Sequence, residues 1–202
     1  MPASTSGAEY AERLVSLQQV WWKRLLPVQA PYRWNLRRLK LGFTLDVGCG
    51  IGRNLLHLDG NGVGVDHNPS SVAVARAVGL RAFTPGEFLE SEFATPGSFD
   101  SLLVSHVLEH MTRAQAVELV REHLVYIRVG GTVVLITPQE RGFRSDSSHV
   151  EFMAFDALRE VAAATQLSVH RAYSFPFPRR AGPMFVYNEF VLVGRIPRST
   201  AA

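Results

Sequence analysis

The sequence predicts an α/β fold: a doubly wound, mostly parallel sheet of seven strands, with an antiparallel edge strand and an N-terminal helical extension. Three observations carry this. From residue 43 onward, short apolar runs of strand length alternate with longer helical patterns, as in successive βαβ units. The first of these strands runs into a glycine-rich turn, Gly48-Cys49-Gly50-Ile51-Gly52, that opens a helix. The last two apolar segments, LSVHRAYSF and MFVYNEFVLVG, have no helix between them, so they should pair antiparallel.

Residues 8–26 place Leu14, Leu17, Val20, Trp21, Leu25 and Leu26 at helical spacing, ended by Pro27. The stretch PYRWNLRRLKLG then reads as a short aromatic and basic connector. Residues 1–40 are thus expected to form an extension or lid, 41–196 the main domain and 197–202 a tail. FTLDV (43–47) is the first strand and GRNLLHL the first helix. GVGVD (62–66) is the second strand. PSSVAVARAVG is a helix opened by Pro69 and closed by Gly79. LRAF makes a short third strand and SFDSLLVS (98–105) a fourth. A helix over 112–127, a fifth strand GTVVLIT (131–137) and a helix over 154–165 follow.

Composition excludes several classes. With 202 residues, 47% of them apolar and 19% charged, the chain matches an ordinary globular protein. No apolar run approaches the roughly 18–20 residues of a membrane helix, and MPASTSGAEY lacks the pattern of a secretory signal. Cys49 is the single cysteine, which suits a reducing compartment, so a cytoplasmic location is expected. The net charge is +3. Residues 13–40 hold Arg13, Lys23, Arg24, Arg33, Arg37, Arg38 and Lys40 without an acid. That pattern reads as a solvated helical face rather than a nucleic-acid surface. The expected partner is a small-molecule acceptor, and the expected state a monomer or homodimer.

The glycine turn points to a ligand. A dinucleotide fingerprint would need Gly or Ala at position 53, where Arg53 stands, and no Gly-Lys-Ser/Thr of a P-loop follows. Twenty residues after Asp46, Asp66 ends the second strand, where a carboxylate can accept from both hydroxyls of a ribose. A nucleoside without a pyrophosphate fits both facts. Here the chain resembles the class I S-adenosylmethionine (SAM)-dependent methyltransferases. The likeness spans roughly residues 43–170 and rests on four motifs in order: LDVGCGIG, VGVDHNPSSVAVAR, FDSLLVSHVLEHM and VGGTVVLITP. It implies that Gly48 and Gly50 line the methionine moiety, with Asp46 ordering the loop and meeting the amino group. It implies that Asp66 binds the ribose, and that His67 and Glu87 lie near the adenine with Phe88 packing on its ring. Ser105 would line the cofactor, and Arg33 or Tyr32 would reach its carboxylate.

SHVLEHM (105–111) places His106, Glu109 and His110 at i, i+3 and i+4. Alone it reads equally as a helix start, with Glu109 near the positive end of the dipole. The polar segment TPQERGFRSDSSHVEF (137–152) adds His149, with Asp146 and Glu151 nearby, after the fifth strand. Together these segments are similar to metal-dependent O-methyltransferases with an E-x-x-E-H block and a distant histidine. That resemblance implies metal ligands Glu109, His110, His149 and His106, with His149 and His106 also serving catalysis. His106 stands where those enzymes have a first carboxylate. Magnesium prefers oxygen donors and a histidine-rich set suits manganese, zinc or iron, so Mg or Mn is expected. A hydroxyl acceptor with a vicinal diol, above all a sugar, fits this chemistry. The chain also resembles the actinobacterial sugar 1-O-methyltransferases of methylmannose polysaccharide synthesis. The rival readings are a terminal RNA 2′-O-methyltransferase and a SAM-binding regulatory protein without catalysis. His57, His123 and His170 read as surface or packing residues, and SFPFPRRAGPM (174–184) as a rim, a dimer contact or a plain connector.

Overall fold

The computed structural model describes residues 29–198. The helix expected over 8–26 and residues 199–202 of the tail lie outside the described residues. The described residues fall into two compact units, divided between Ala94 and Thr95. Strand order is β3-β2-β1-β4-β5-β7-β6, the doubly wound α/β topology expected.

The first unit opens with α1 (Ala30–Arg38), in the stretch read above as a connector. Pro31 in its first turn lacks only an N–H that has no helical partner there. Asn35 and Leu36 are its buried residues. Arg37 Nε donates to the His57 carbonyl at 3.0 Å, and the guanidinium pairs with Asp59. Strand β1 (Thr44–Val47) lies parallel to β2 (Gly62–Val65), and β2 parallel to β3 (Ala82–Phe83). Both strands are buried along their whole length, and β1 carries Thr44 and Asp46 into that interior. Three helices link and flank these strands: α2 (Arg53–His57), α3 (Pro69–Ala77) and α4 (Pro85–Leu89). The Asn68 side chain caps α3 by accepting from the Ser70 and Ser71 N–H groups. Cys49, Leu55, Val72, Ala75, Leu80 and Ala82 form a buried apolar cluster.

The second unit contains β4 (Phe99–Ser105), a 3-10 turn over Leu108–His110, α5 (Arg113–Leu124) and β5 (Ile127–Pro138). Then come α6 (Glu140–Arg144), α7 (Phe155–Ala164), β6 (Ser168–Phe175), a 3-10 turn over Arg179–Ala181 and β7 (Glu189–Arg195). β4 and β5 are parallel, while β7 runs antiparallel to both β5 and β6. The antiparallel strand therefore sits one place in from the edge, with β6 outside it. Its partners bury it almost completely. The strand expected from Met184 begins only at Glu189, because residues before it turn back: Phe185 N–H donates to Ala181 and Asn188 N–H to Phe185. Helix α7 buries Ala157, Leu158, Val161 and Ala162, one stripe at helical spacing. No described helix is long and apolar enough to cross a membrane.

Candidate active site: a glycine loop and a histidine cluster

In the first unit, the chain leaves β1 through Gly48 and Gly50 at φ +73° and +53°, a region that strains any residue with a Cβ. The Gly48 and Cys49 N–H groups donate to the Val65 carbonyl at 2.8 and 3.2 Å. Asp66 then ties the loop down. Its Oδ2 accepts from the Gly50 N–H at 2.7 Å and its Oδ1 from the Asn68 N–H at 2.9 Å. Each carboxylate oxygen keeps a second lone pair, which leaves one acceptor per hydroxyl of a ribose. Gly64 is required by close approach: a Cβ there would lie 2.5 Å from Cys49 Sγ. Burial and the negative charges of Asp46 and Asp66 push the Cys49 thiol far up, so it is no nucleophile.

Asp46 is fully buried, and neither carboxylate oxygen has a hydrogen-bond partner at normal distance. Burial pushes its pKa up to about 7, opposed by the nearby Asn54 amide and reinforced by Asp66. A buried carboxylate without a donor, beside a glycine loop, fits a cationic or amino-bearing ligand. The amino group of SAM supplies that donor, so these residues fit the expected cofactor.

The remaining cofactor expectations divide. His67 is exposed, with Nδ1 3.8 Å from Asp66 Oδ1. Arg33 is exposed on α1, and Ser105 is buried at the end of β4. Phe88 is 2% exposed and belongs to the core of its unit. Glu87, expected near the adenine, has partners of its own. Its carboxylate closes a capping box with Thr84 and forms a two-pronged pair with Arg76 at 2.8 and 3.2 Å. Arg76 and then Thr84 hold the Glu87 pKa down at about 2.

In the second unit, β4 is followed by His106 at φ +58°, and the next residues wind into the 3-10 turn that carries Glu109 and His110. The loop after β5 brings His149 to the same place. Val150 and Glu151 N–H groups donate to the Glu109 carbonyl at 2.7 and 3.2 Å, which fixes the two segments together. Glu109, His110 and His149 each offer a ligand atom, all within 4.8 Å of one another.

The tautomers follow from the hydrogen bonds. Ser148 donates its hydroxyl proton to Asp146 Oδ1 at 2.7 Å, so the His110 Nδ1–H must be the donor toward Ser148. His149 Nδ1–H donates to the Phe143 carbonyl at 2.7 Å. Both rings turn Nδ1 away into the loop and leave Nε2 free, and His149 Nε2 lies 4.0 Å from Glu109 Oε1. The Glu109 carboxylate is 1% exposed, and neither oxygen meets a hydrogen-bond donor in good geometry. Two imidazoles and a buried carboxylate thus converge, a donor set that could hold a cation. Burial, with His149 beside it, lowers the His110 pKa, Glu109 opposing, which keeps the imidazole neutral as a ligand must be.

Phe143 stacks on His149 at 5.2 Å between centroids, and the two imidazoles meet edge to face at 4.8 Å. Asp146 and Glu151 serve this loop structurally. Burial alone would raise the Asp146 pKa, but the Ser148 N–H and hydroxyl bind it and lower it. Glu151 accepts from the Arg113 N–H and guanidinium at 2.7 and 2.8 Å.

His106 differs from the ligand set expected. Its Nε2 donates to Glu189 Oε1 at 2.8 Å, and its Nδ1 lies 3.4 Å from Glu109 Oε1. Burial opposes its charge, yet Glu109 and Glu189 together hold its pKa up at about 10. Held between two carboxylates, His106 favours its charged form, and its ring lies outside the group formed by Glu109, His110 and His149. Glu189 was not read from the sequence. The one signal for it is an acid heading an otherwise apolar run, Asn188-Glu189-Phe190-Val191-Leu192.

Comparison with known proteins finds relatives among the methyltransferases. A family described as methyltransferase domain matches residues 45–135. The ajmaline N-methyltransferase of Rauvolfia serpentina is 27% identical over 133 residues, 60% of this chain and 45% of that protein. The match thus spans less than half the length of this curated relative. Among solved structures, a complex between the Haloferax volcanii Trm112 methyltransferase activator and a methyltransferase matches with a TM-score of 0.69. Its identity is 18%, over 96% of this chain and 97% of that one. A SAM-dependent methyltransferase from Archaeoglobus fulgidus matches with a TM-score of 0.64 and 16% identity, over 81% of this chain and 92% of that one. The chain is thus similar to a methyltransferase domain over residues 45–135, and it shares its fold with solved methyltransferases.

Proposed function

We propose that this protein transfers the methyl group of SAM to a hydroxyl oxygen of a small polar acceptor, best a sugar with vicinal hydroxyls, with a divalent ion assisting at Glu109, His110 and His149. The observation that carries the reading is the buried Glu109 carboxylate grouped with His110 and His149, their ligand atoms all within 4.8 Å of one another. A divalent ion there, when bound, lowers the pKa of an acceptor hydroxyl. The chain's own residues supply the rest. Asp46 and Asp66 hold the cofactor's amino group and ribose, His110 and His149 are oriented through Nδ1 by Ser148 and Phe143, and Glu109 contributes negative charge. Methyl transfer itself is an in-line displacement, so positioning contributes much of the rate.

A second reading, transfer to an amine nitrogen, draws on the N-methyltransferase relative. An acceptor panel of mono- and disaccharides, catechols, amines and RNA ends, each with labelled SAM, separates the readings. For the hydroxyl reading, sugars or other diols are methylated, EDTA abolishes turnover, and Mn or Mg restores it. His149→Ala lowers turnover by about 10²-fold or more. Methylation of amines alone, undiminished in EDTA, overturns it. SAM binding without turnover on any acceptor, with function unchanged in His149→Ala, points to the regulatory reading instead.

A further inference from the structure

We infer that Glu189 is a positioning residue of the candidate ion site: it holds the His106 ring as an outer partner of Glu109 and leaves a three-ligand set of Glu109, His110 and His149. The inference rests on the reading of those three residues as an ion site.

The geometry is specific. His106 occupies a left-handed backbone conformation, which costs a residue with a branched or bulky side chain and persists only where neighbours fix it. Its N–H donates to the Ile136 carbonyl at 2.9 Å, and its ring is held between two carboxylates, Glu189 on Nε2 at 2.8 Å and Glu109 beside Nδ1 at 3.4 Å. The ring is therefore turned toward carboxylates on both sides and is absent from the group whose ligand atoms cluster within 4.8 Å.

Glu189 is itself held by a buried polar lock. It is the first residue of β7, opposite Pro138 of β5 and Phe175 of β6. Gln139, fully buried, donates its Nε2 to the Glu189 carbonyl at 2.9 Å and to Ser174 Oγ at 2.8 Å. Asn188, also fully buried, donates to Gln139 Oε1 at 2.9 Å. The ends of three strands are thus bound together immediately behind the carboxylate that meets His106. A satisfied buried network of this kind specifies one arrangement. Its product is a Glu109 carboxylate whose Oε1 lies between His106 and His149.

Two imidazoles and one carboxylate leave open coordination positions for acceptor oxygens or water, and this donor set suits Mn, Fe, Co or Zn better than Mg. A group that orients a ligand from outside changes affinity by about 10–100-fold without changing stoichiometry.

The test uses Mn²⁺ and Co²⁺ alone as probes, with full-length protein and no acceptor. Binding is followed by electron paramagnetic resonance of free Mn²⁺ and by the visible absorption of bound Co²⁺. The expected result is one ion per chain in the wild type, loss of it in Glu109→Gln and His149→Ala, and one retained ion in His106→Gln. Glu189→Ala keeps one ion but binds it about 10–100-fold more weakly. Glu189→Gln, whose amide oxygen still accepts from His106, recovers most of that loss, and circular dichroism verifies folding of each variant. Wild-type affinity in Glu189→Ala overturns the positioning role. Loss of the ion in His106→Gln as complete as in His149→Ala makes His106 a ligand and overturns the three-ligand set. A wild type that binds neither ion overturns the ion reading itself, and the inference with it.

Discussion

Asp46 is a carboxylate whose burial favours the protonated form, in a place where a cationic ligand would favour the ionised one. The two demands make a measurable linkage. With a pKa raised to about 7, the free protein carries a proton on Asp46 at acidic pH. Pairing with the cofactor's ammonium requires that proton to leave, so SAM binding releases it below pH 7. SAM affinity is expected to rise with pH, by up to about tenfold per unit, and to level off above 7. Asp46→Asn should bind more weakly and with a flat profile. Calorimetric titration from pH 5.5 to 8 checks both, and a pH-independent wild type would remove the pairing. At this scale the sequence was informative where chemistry is local. Asp46, Asp66, Glu109 and His110 stand in motifs next to predicted strand ends, and His149 lies in the polar loop after the fifth strand. Glu189 was hidden because its role depends on β7 inserting beside β5, a pairing between residues far apart in the chain.

Among the elements, the strands were the most legible. Their apolar runs match the buried stretches of β1, β2, β4 and β5, because strands covered on both faces need little else. The five-residue helices α4 and α6 were missed, since one turn and a half carries no periodic signal. For α4 a signal did exist. Thr84-Pro85-Gly86-Glu87 is a capping box with proline at the first helical position. The resemblance drew Glu87 toward a ligand, while its local chemistry drew it to the helix start. This leads to a prediction that separates the two. Thr84→Ala removes the cap's side-chain acceptor and should lower stability by about 1 kcal/mol, measured by urea unfolding. It should leave SAM affinity within about twofold, since on this geometry Glu87 serves the helix. A tenfold loss of affinity without a change in stability would return Glu87 to the cofactor.

At the scale of the whole molecule, buried charge sets how stability responds to pH, and two groups of the first unit act in opposite senses. His57, 8% exposed, has its pKa lowered to about 4, chiefly by burial and further by Arg53, Arg33 and Arg37. Between pH 4 and 6.5 the unfolded chain protonates this histidine and the folded chain does not, so His57 makes stability fall as pH falls through that window. Asp46 does the reverse. Between about pH 4 and 7 the folded chain holds a proton that the unfolded chain has lost, so stability falls as pH rises. Each effect is on the order of 3 kcal/mol, and they cover nearly the same window. The cofactor-free wild type should therefore show a shallow dependence there from these two groups. Single variants uncover the halves. Asp46→Asn should lose stability steeply as pH falls from 6.5 toward 4, because only the histidine contribution remains. His57→Gln should instead be most stable near pH 4 and weaken toward 7. Urea midpoints across pH 4–8 for the wild type and both variants test the compensation. Parallel curves for all three would show that neither buried group governs the response, whereas opposite slopes in the two variants confirm it.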